Sequence, residues 1–437
     1  MSNSLTLKKL FLLLGDIFLM YVSLIITVRL AFLNGFGLKI LILHLLPFSI
    51  IYFFWLIIFY ISGLYDLHLI KTKISFYART FGAILAGLIL GMLFFYTIPF
   101  FGITPKTNLI LNSLIFGILF IGWRNLFYSL FSIYFLNKVT IIGNGYKVEG
   151  LKNEILKRPY LGYKLIPVDF ARDLFSQIQK YNIDTVIFTE EFESNPKLLK
   201  ALYLCLPARI NFLDSASAYE LITEKIPIST ISHAWFLGNL KEGEKSLYDK
   251  AKRGFDIILA GFLLIITLPL WVLIALSVKL EDKGPIFYSQ ERVGKDGKPF
   301  MLYKFRSMKV GAEKGDPVWA KRKDERITKV GKFLRETHLD EIPQMINVLK
   351  GDINLVGPRP ERPHFIEKLE KEIPHYHLRH IIRPGFTGWA QIKFRYGRSI
   401  MDSREKFEYD LYYLKNRNFL LDIGILLKTF NLIFRKS

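Results

Sequence analysis

The sequence predicts a membrane α-helical bundle joined to an α/β part. A four-helix transmembrane bundle covers 1–137 and a degenerate Rossmann-like domain 138–245; a mainly helical domain over 246–437 carries a re-entrant membrane hairpin at 254–280. Three observations predict it. A hydrophobic content of 51% accompanies a net charge of +21, and the two reconcile if apolar spans alternate with basic segments. Four apolar runs are long enough to cross a bilayer, and a fifth is interrupted by Pro269. A length of 437 residues allows two to four domains.

The four runs are 10–32, 38–61, 80–101 and 109–135, each near the roughly 20 residues a bilayer requires. Lys8, Lys9, Lys71, Lys73, Arg79 and Lys138 outweigh Lys39 and Lys106 on the alternate side, so both ends of the bundle are expected to be cytoplasmic. Asp16, Arg29 and Arg124 lie within or near the spans. They are too few for a transport path, and interfacial snorkelling or interhelical pairing is expected. The run after Lys8-Lys9 is too long for a cleavable signal, and no small-residue cleavage site follows. A single cysteine, Cys205, allows neither an intrachain disulfide nor a cysteine zinc site and suits a reducing compartment.

Composition turns soluble at Lys138. Val139-Thr140-Ile141-Ile142 followed by Gly143-Asn144-Gly145 reads as a strand entering a glycine turn before a helix, half of a dinucleotide-binding unit. Val148 stands where the third glycine belongs, so the domain is expected to be structural or regulatory, without bound nucleotide. Strands at 185–189 and 209–213 and helices around 151–157 and 197–204 complete a small α/β fold.

The segment 255–280 is apolar apart from Asp256. Lys250, Lys252 and Arg253 precede it and Lys279 and Lys283 follow, so positive charge marks both ends as cytoplasmic. Pro269 removes a backbone donor and is expected to break the segment into helical halves of about 13 and 11 residues, enough to enter one leaflet and return. Thr267 is a candidate to satisfy the carbonyls this frees. Lys252, Arg253 and Pro269 are the candidate lipid-phosphate or membrane-interface residues.

The C-terminal domain is organised around two adjacent carboxylates, Asp340 and Glu341. Ile342, Met345, Ile346 and Leu349 recur at helical spacing, and Lys350-Gly351 is a stop signal. Pro343 is tolerated within the first three helical positions, which makes Asp340 the expected N-cap. There it would stay ionised, with free N–H groups nearby that suit a phosphate. The alternative is that the pair only caps and charges a helix. Around it lie rigid, cation-bearing blocks: Gln290-Glu291-Arg292-Val293-Gly294, Lys304-Phe305-Arg306-Ser307-Met308, Gly357-Pro358-Arg359-Pro360-Glu361 and Arg383-Pro384-Gly385-Phe386-Thr387-Gly388-Trp389-Ala390-Gln391. Phosphoryl transfer wants this collection, because its catalysis is mostly the positioning and neutralising of phosphate oxygens. No nucleic-acid signature accompanies the basic charge. His375, His377 and His380 do not share a helical face and read as plain surface residues rather than a metal cluster.

Residues 246–437 resemble the membrane-associated polyprenyl-phosphate sugar-1-phosphate transferases that start bacterial exopolysaccharide, capsule and O-antigen assembly. The blocks that carry the resemblance are 304–308, Leu339-Asp340-Glu341-Ile342-Pro343-Gln344, 347–360, 383–391 and the proline-containing hairpin. The whole chain looks like the larger members, and 420–434 fits their interface-lying helices. The resemblance implies that Asp340 attacks the sugar-bearing phosphorus of a UDP-sugar, expels UMP, and passes the group to polyprenyl (undecaprenyl) phosphate. It further implies Mg²⁺ at Glu341, and Arg306, Arg359, Glu361, Arg383 and Gln391 as the phosphate- or nucleotide-binding set. The expected partners are a UDP-sugar, polyprenyl phosphate, the bacterial inner membrane and a second copy of the chain, with no nucleic acid. Two other classes compete: a nucleotide-sensing regulator would want the missing third glycine, and a lipid transporter would want more spans.

Overall fold

The computed structural model describes residues 2–32, 37–66, 73–98, 106–134, 136–143, 146–158, 161–169, 173–189, 196–228, 231, 233–312, 325–394 and 399–433. The chain divides into two compact units, Met1–Thr223 and Glu224–Ser437.

In the first unit, α1 (Ser2–Ala31), α2 (Leu38–Ile61), α3 (Lys73–Thr97) and α4 (Lys106–Tyr134) are the expected apolar helices. Aromatic rings fill their interior, Trp55, Phe59, Phe116 and Phe120 among them. Apolar surface alone gives helices little reason to associate in lipid, so polar contacts between them carry weight. Asn112 accepts from the Tyr52 hydroxyl (3.0 Å) and donates to Ser23 Oγ (3.0 Å). Asp16 and Arg124, both fully buried, pair across α1 and α4 at 2.6 Å, and Arg124 also donates to the Leu64 carbonyl. Of the two readings of these charges, interhelical pairing is the one found; Arg29 is exposed.

Four parallel strands follow: β1 (Asn137–Ile142), β2 (Tyr163–Leu165), β3 (Thr185–Phe188) and β4 (Asn211–Asp214), in the order β2-β1-β3-β4. Helices α5 (Tyr146–Lys157), α6 (Leu174–Tyr181), α7 (Pro196–Leu204) and α8 (Ser215–Thr223) alternate with them. Strand β2 and helices α6 and α8 were not expected from the sequence. Val148 is a buried core residue of α5 in one cluster with Val139, Ile155 and Ala218; Asn144 and Gly145 lie outside the described residues.

The second unit begins at Glu224, ahead of the boundary drawn at 245. Its elements are α9 (His233–Asn239), α10 (Ser246–Asp282), the antiparallel hairpin β5 (Phe287–Val293) and β6 (Pro299–Phe305), α11 (Lys329–Glu336), α12 (Gln344–Lys350), β7 (Asn354–Val356), α13 (Pro363–Glu372), β8 (Gly385–Thr387), α14 (Trp389–Lys393), α15 (Ile400–Asn416) and α16 (Phe419–Ile433). The described residues between 224 and 245 strap α15. Ile226 N donates to the Glu408 carbonyl (3.0 Å), Lys225 pairs with Glu405 (3.0 Å), and Lys245 donates to the Leu414 carbonyl (2.6 Å). Ile226, Ile228, Phe236 and Leu240 are buried in the same core as Phe407 and Leu411.

Pro269 does not split its segment, contrary to expectation: α10 is one helix with Pro269 inside it. Thr267 Oγ1 donates to the Leu263 carbonyl at 2.7 Å, not to that of Ile265, which the missing proline N–H leaves. Beyond the proline the second half is packed on the unit, with Trp271, Ile274 and Val278 clustered with Phe305. One stripe of α10, Lys252, Asp256, Ala260, Ile274 and Val278, is buried on the unit, while Ile258, Ile265, Leu273 and Leu280 stand exposed. Both ends are fastened to that unit. Lys252 binds Asp422 (2.5 Å) and Arg253 donates to the Val348 (2.5 Å) and Leu349 (2.9 Å) carbonyls; at the far end Arg306 pairs with Asp282, and Glu281 accepts from Lys329 N (2.6 Å). Helix α16 likewise buries Ile425 and exposes Leu420 and Phe430.

The strap makes a prediction. Ile226→Asp places a carboxylate at a position with 0% exposure and should cost about 3 kcal/mol or more, whereas Leu237→Asp, on an 87% exposed residue of α9, should leave the unfolding temperature unchanged. Equal melting of both variants in detergent would show that the strap is not part of this core.

Candidate active site

The carboxylate pair sits on a 3-10 turn, Leu339–Glu341, rather than at a helix N-cap. His338 precedes it in the left-handed region (φ 55°), which turns the chain sharply out of α11, and α12 starts only at Gln344 with Pro343 at its cap position. Asp340 is therefore not the cap. The buried side of α12 is Gln344, Met345, Asn347 and Val348, with Leu349 exposed, so the apolar face read from the sequence is only half right; the stop at Gly351 is where expected. Asn347 joins α12, which follows the turn, to the hairpin, accepting from Tyr303 N (3.0 Å) and donating to the Met301 carbonyl (2.7 Å). This register brings Lys304 of β6 over the turn.

Both carboxylates are buried, but their surroundings differ. Glu341 Oε1 accepts from Lys304 Nζ (2.7 Å) and Arg359 Nη2 (2.6 Å). Among the described residues the Asp340 carboxylate makes no hydrogen bond or ion pair. Burial pushes the Asp340 carboxyl up to about 6, against the nearby charges of Lys304 and Arg335 and reinforced by Glu341. Burial acts on Glu341 in the same sense, but the cations Arg359 and Lys304 overcome it and hold that carboxyl well below the usual range. One carboxylate is thus strongly acidic and pinned, while its neighbour is unpinned and less acidic.

Arg359 reaches the turn from a loop whose carbonyls are taken one after another. Gly385 N donates to Pro358 O (2.8 Å), Arg379 to Arg359 O (2.9 Å), Arg292 to Pro360 O (3.1 Å) and Val293 N to Glu361 O (3.0 Å). Strands β7 and β8 pair in parallel beside it. A Cβ on Gly385 would stand 2.0 Å from Gly357 N, so this approach requires glycine.

Of the candidates named from the sequence, Asp340, Glu341 and Arg359 come together. The others do not join them. Arg306 is committed to Asp282 and lies against Gly284, so its guanidinium fastens the end of α10. The Glu361 carboxylate is 3.7 Å from Arg292. Lys252 is buried in a network with Asp422, Tyr248 and Tyr413, not free for a lipid phosphate. Arg253 caps the end of α12, and Pro269 is exposed on α10. Arg383, half-buried, makes no hydrogen bond or ion pair among the described residues, and Gln391 Oε1 is buried without a partner. The histidines are not all surface residues. His375 packs against His233 (ring centroids 4.7 Å apart) and Phe236, and burial with the neighbouring Arg379 pushes His380 down to about 3. Sequence reading missed Lys304 as a partner of Glu341 and Arg292 as a holder of the Pro360 carbonyl, although both blocks were noted, and missed Arg379 and Asp410 entirely.

Whether these residues suit Mg²⁺ turns on donor count. Glu341 Oε1 is committed to two cations, and the described residues contain no group of three His, Cys, Asp or Glu placed to hold a metal. What remains is Glu341 Oε2 and the Asp340 carboxylate. Such a donor set fits a hard cation whose shell is completed by water and phosphate oxygens, the usual habit of Mg²⁺.

Residues 247–436 match the family described as bacterial sugar transferase. The UDP-N-acetylgalactosamine-undecaprenyl-phosphate N-acetylgalactosaminephosphotransferase of Aeromonas hydrophila is 41% identical over 229 residues, covering 52% of this chain and 53% of the relative. The UDP-glucose:undecaprenyl-phosphate glucose-1-phosphate transferase of Escherichia coli is 45% identical over 180 residues, 41% of this chain and 39% of its own. That of Caulobacter vibrioides is 38% identical over 183 residues, which make up 41% of this chain and 68% of the relative. The match thus spans about half or less of the first two relatives and more than two thirds of the third. The chain belongs, through its C-terminal unit, to the bacterial sugar transferase family.

Proposed function

We propose that this protein transfers a sugar 1-phosphate from a UDP-sugar to undecaprenyl phosphate, releasing UMP and leaving a lipid-linked diphosphate sugar that begins a bacterial polysaccharide. The observation that carries the reading is the asymmetry of the carboxylate pair: Glu341 is pinned by two cations and Asp340 is buried, unpinned and still mostly ionised at pH 7.

In the first step an Asp340 carboxylate oxygen forms a bond to the sugar-bearing phosphorus of the donor. The phosphorus–oxygen bond to UMP breaks, and its electron pair leaves with UMP. In the second step a phosphate oxygen of undecaprenyl phosphate attacks the same phosphorus, the phosphorus–Asp340 bond breaks, and the carboxylate is regenerated. Arg359, 42% exposed, has donors beyond the one on Glu341 and can meet the diphosphate, while Lys304 keeps Glu341 ionised beside it. Mg²⁺, held by Glu341 Oε2 with phosphate oxygens, would supply charge neutralisation at the diphosphate. The relatives' names carry glucose and N-acetylgalactosamine, so those two UDP-sugars are the first donors to offer.

The same reading places the second unit on the cytoplasmic face of the inner membrane, with α10 entering and leaving by that face. Support comes from its two ends, both fastened to one unit, and from its exposed apolar flank. A helix that crosses has its ends on opposite sides. Single cysteines at Lys250 and Lys283, in a Cys205→Ser background, should both be shielded from an impermeant reagent in intact cells and both react in inverted vesicles. Labelling of position 283 from outside would contradict re-entry.

Asp340→Asn should lower turnover of UDP-sugar to UMP by about four orders of magnitude or more, because a neutral amide cannot form the ester. Its fold should become more stable at pH 7. The folded carboxyl titrates near 6 against an ordinary value of 3.8, so its ionised form opposes folding above pH 6, and the difference should fade as the pH falls from 6 to about 4. For the same reason wild-type turnover should rise with pH through about 6 and then level. Full activity in Asp340→Asn would remove the nucleophile from this account; unchanged activity from pH 5 to 7 would remove its titration.

A further inference from the structure

We propose that Arg379, held by Asp410, is a positioning residue for donor binding that acts through Arg359. The inference rests on the transferase reading and assigns a support to one of its residues.

The loop at 356–361 carries Arg359 to the turn. Pro358 and Pro360 have no N–H, so this loop has few backbone donors with which to fix itself, and it must be held through its carbonyls. Backbone N–H groups hold two of them, Pro358 O and Glu361 O. The carbonyl of Arg359 itself is held by a side chain: Arg379 Nη2 donates to it at 2.9 Å. The same Nη2 donates to Asp410 Oδ2 at 2.9 Å, and Nη1 donates to the Tyr376 hydroxyl at 2.5 Å. Arg379 also lies over the Tyr376 ring, 5.0 Å from its centroid. The guanidinium therefore cannot turn without breaking contacts within its own turn, Tyr376–His380, and to α15.

Stability alone is a poor reason for this arrangement. Arg379 and Asp410 are 6% and 3% exposed, and a buried ion pair often holds a fold no better than apolar side chains of the same volume. What the pair adds is a fixed position for one carbonyl. Arg359 Cα carries both that carbonyl and the side chain that reaches Glu341 Oε1 at 2.6 Å, so holding the first restricts where the second can go. Displacement of a charged donor by about 1 Å from its phosphate is enough to cost a large part of its effect.

The test is a double-mutant cycle on binding, in the full-length chain and in an Asp340→Asn background so that donor is bound but not turned over. The probe is whichever of UDP-glucose and UDP-N-acetylgalactosamine the parent binds by calorimetry. Asp410→Asn, which keeps the shape and weakens the hold on Arg379, should raise Kd about tenfold, and Arg379→Lys should do the same. Added to Arg359→Gln, either should have no further effect, because the side chain through which Arg379 acts is gone. Equal fold-losses in both backgrounds, or no loss in Asp410→Asn, would overturn the proposal and leave the pair a structural role. Failure of the transferase reading looks different: the parent binds neither UDP-sugar, or Arg359→Gln alone leaves Kd unchanged.

Discussion

The double ion pair on one oxygen of Glu341 is the interaction on which the candidate site depends. Lys304 comes from the end of a β-hairpin and Arg359 from a loop between a strand and a helix, and both converge on a turn of three residues. Removing either cation would leave a buried carboxylate undercompensated, so the hairpin, the turn and the loop must all be in register for Glu341 to be ionised at low cost. Asp340 is placed differently. Burial and the charge of Glu341 both oppose its ionisation, but the nearby Lys304 and Arg335 act the other way and it survives at neutral pH. A nucleophile kept charged but not tied down suits attack on phosphorus.

Burial is also what separates the site seen in the sequence from the one in the fold. The Asp-Glu pair, the Pro-Arg-Pro loop and the Arg-Pro-Gly block were legible because each is a local string whose residue types already state a chemistry. The expectation that Asp340 caps a helix failed because the left-handed His338 starts a 3-10 turn, Leu339–Glu341, ahead of α12. Lys304 could be seen as a cation but not as a partner of Glu341, since that depends on strand β6 meeting the turn through Asn347. Arg379 and Asp410 carry no local mark. They sit on different elements, and only the folded unit makes them neighbours.

The same distinction holds for the architecture. Hydropathy is a local quantity, and the four apolar helices of the bundle were legible to within a few residues at most ends. The strap at 224–245 was not, because its apolar residues, Ile226, Ile228, Phe236 and Leu240, are scattered singly and matter only when α15 is beneath them. Pro269 was expected to break its helix on a rule that concerns one backbone bond. In the fold α10 is continuous, and Trp271 and Ile274 beyond the proline are packed on the unit. The fold adds a two-sidedness that the sequence reading did not state, one stripe buried on protein and the rest apolar and exposed.

The account stands most directly on the covalent step. Purified full-length protein incubated with Mg²⁺ and a UDP-sugar, with no lipid acceptor, should gain the mass of one sugar phosphate while releasing UMP. Peptide mapping should place that mass on Asp340, and added undecaprenyl phosphate should remove it. A sugar phosphate mapped to any other residue, or UMP released only when the acceptor is present and with no adduct formed, would contradict the central claim that Asp340 is the nucleophile of a two-step transfer.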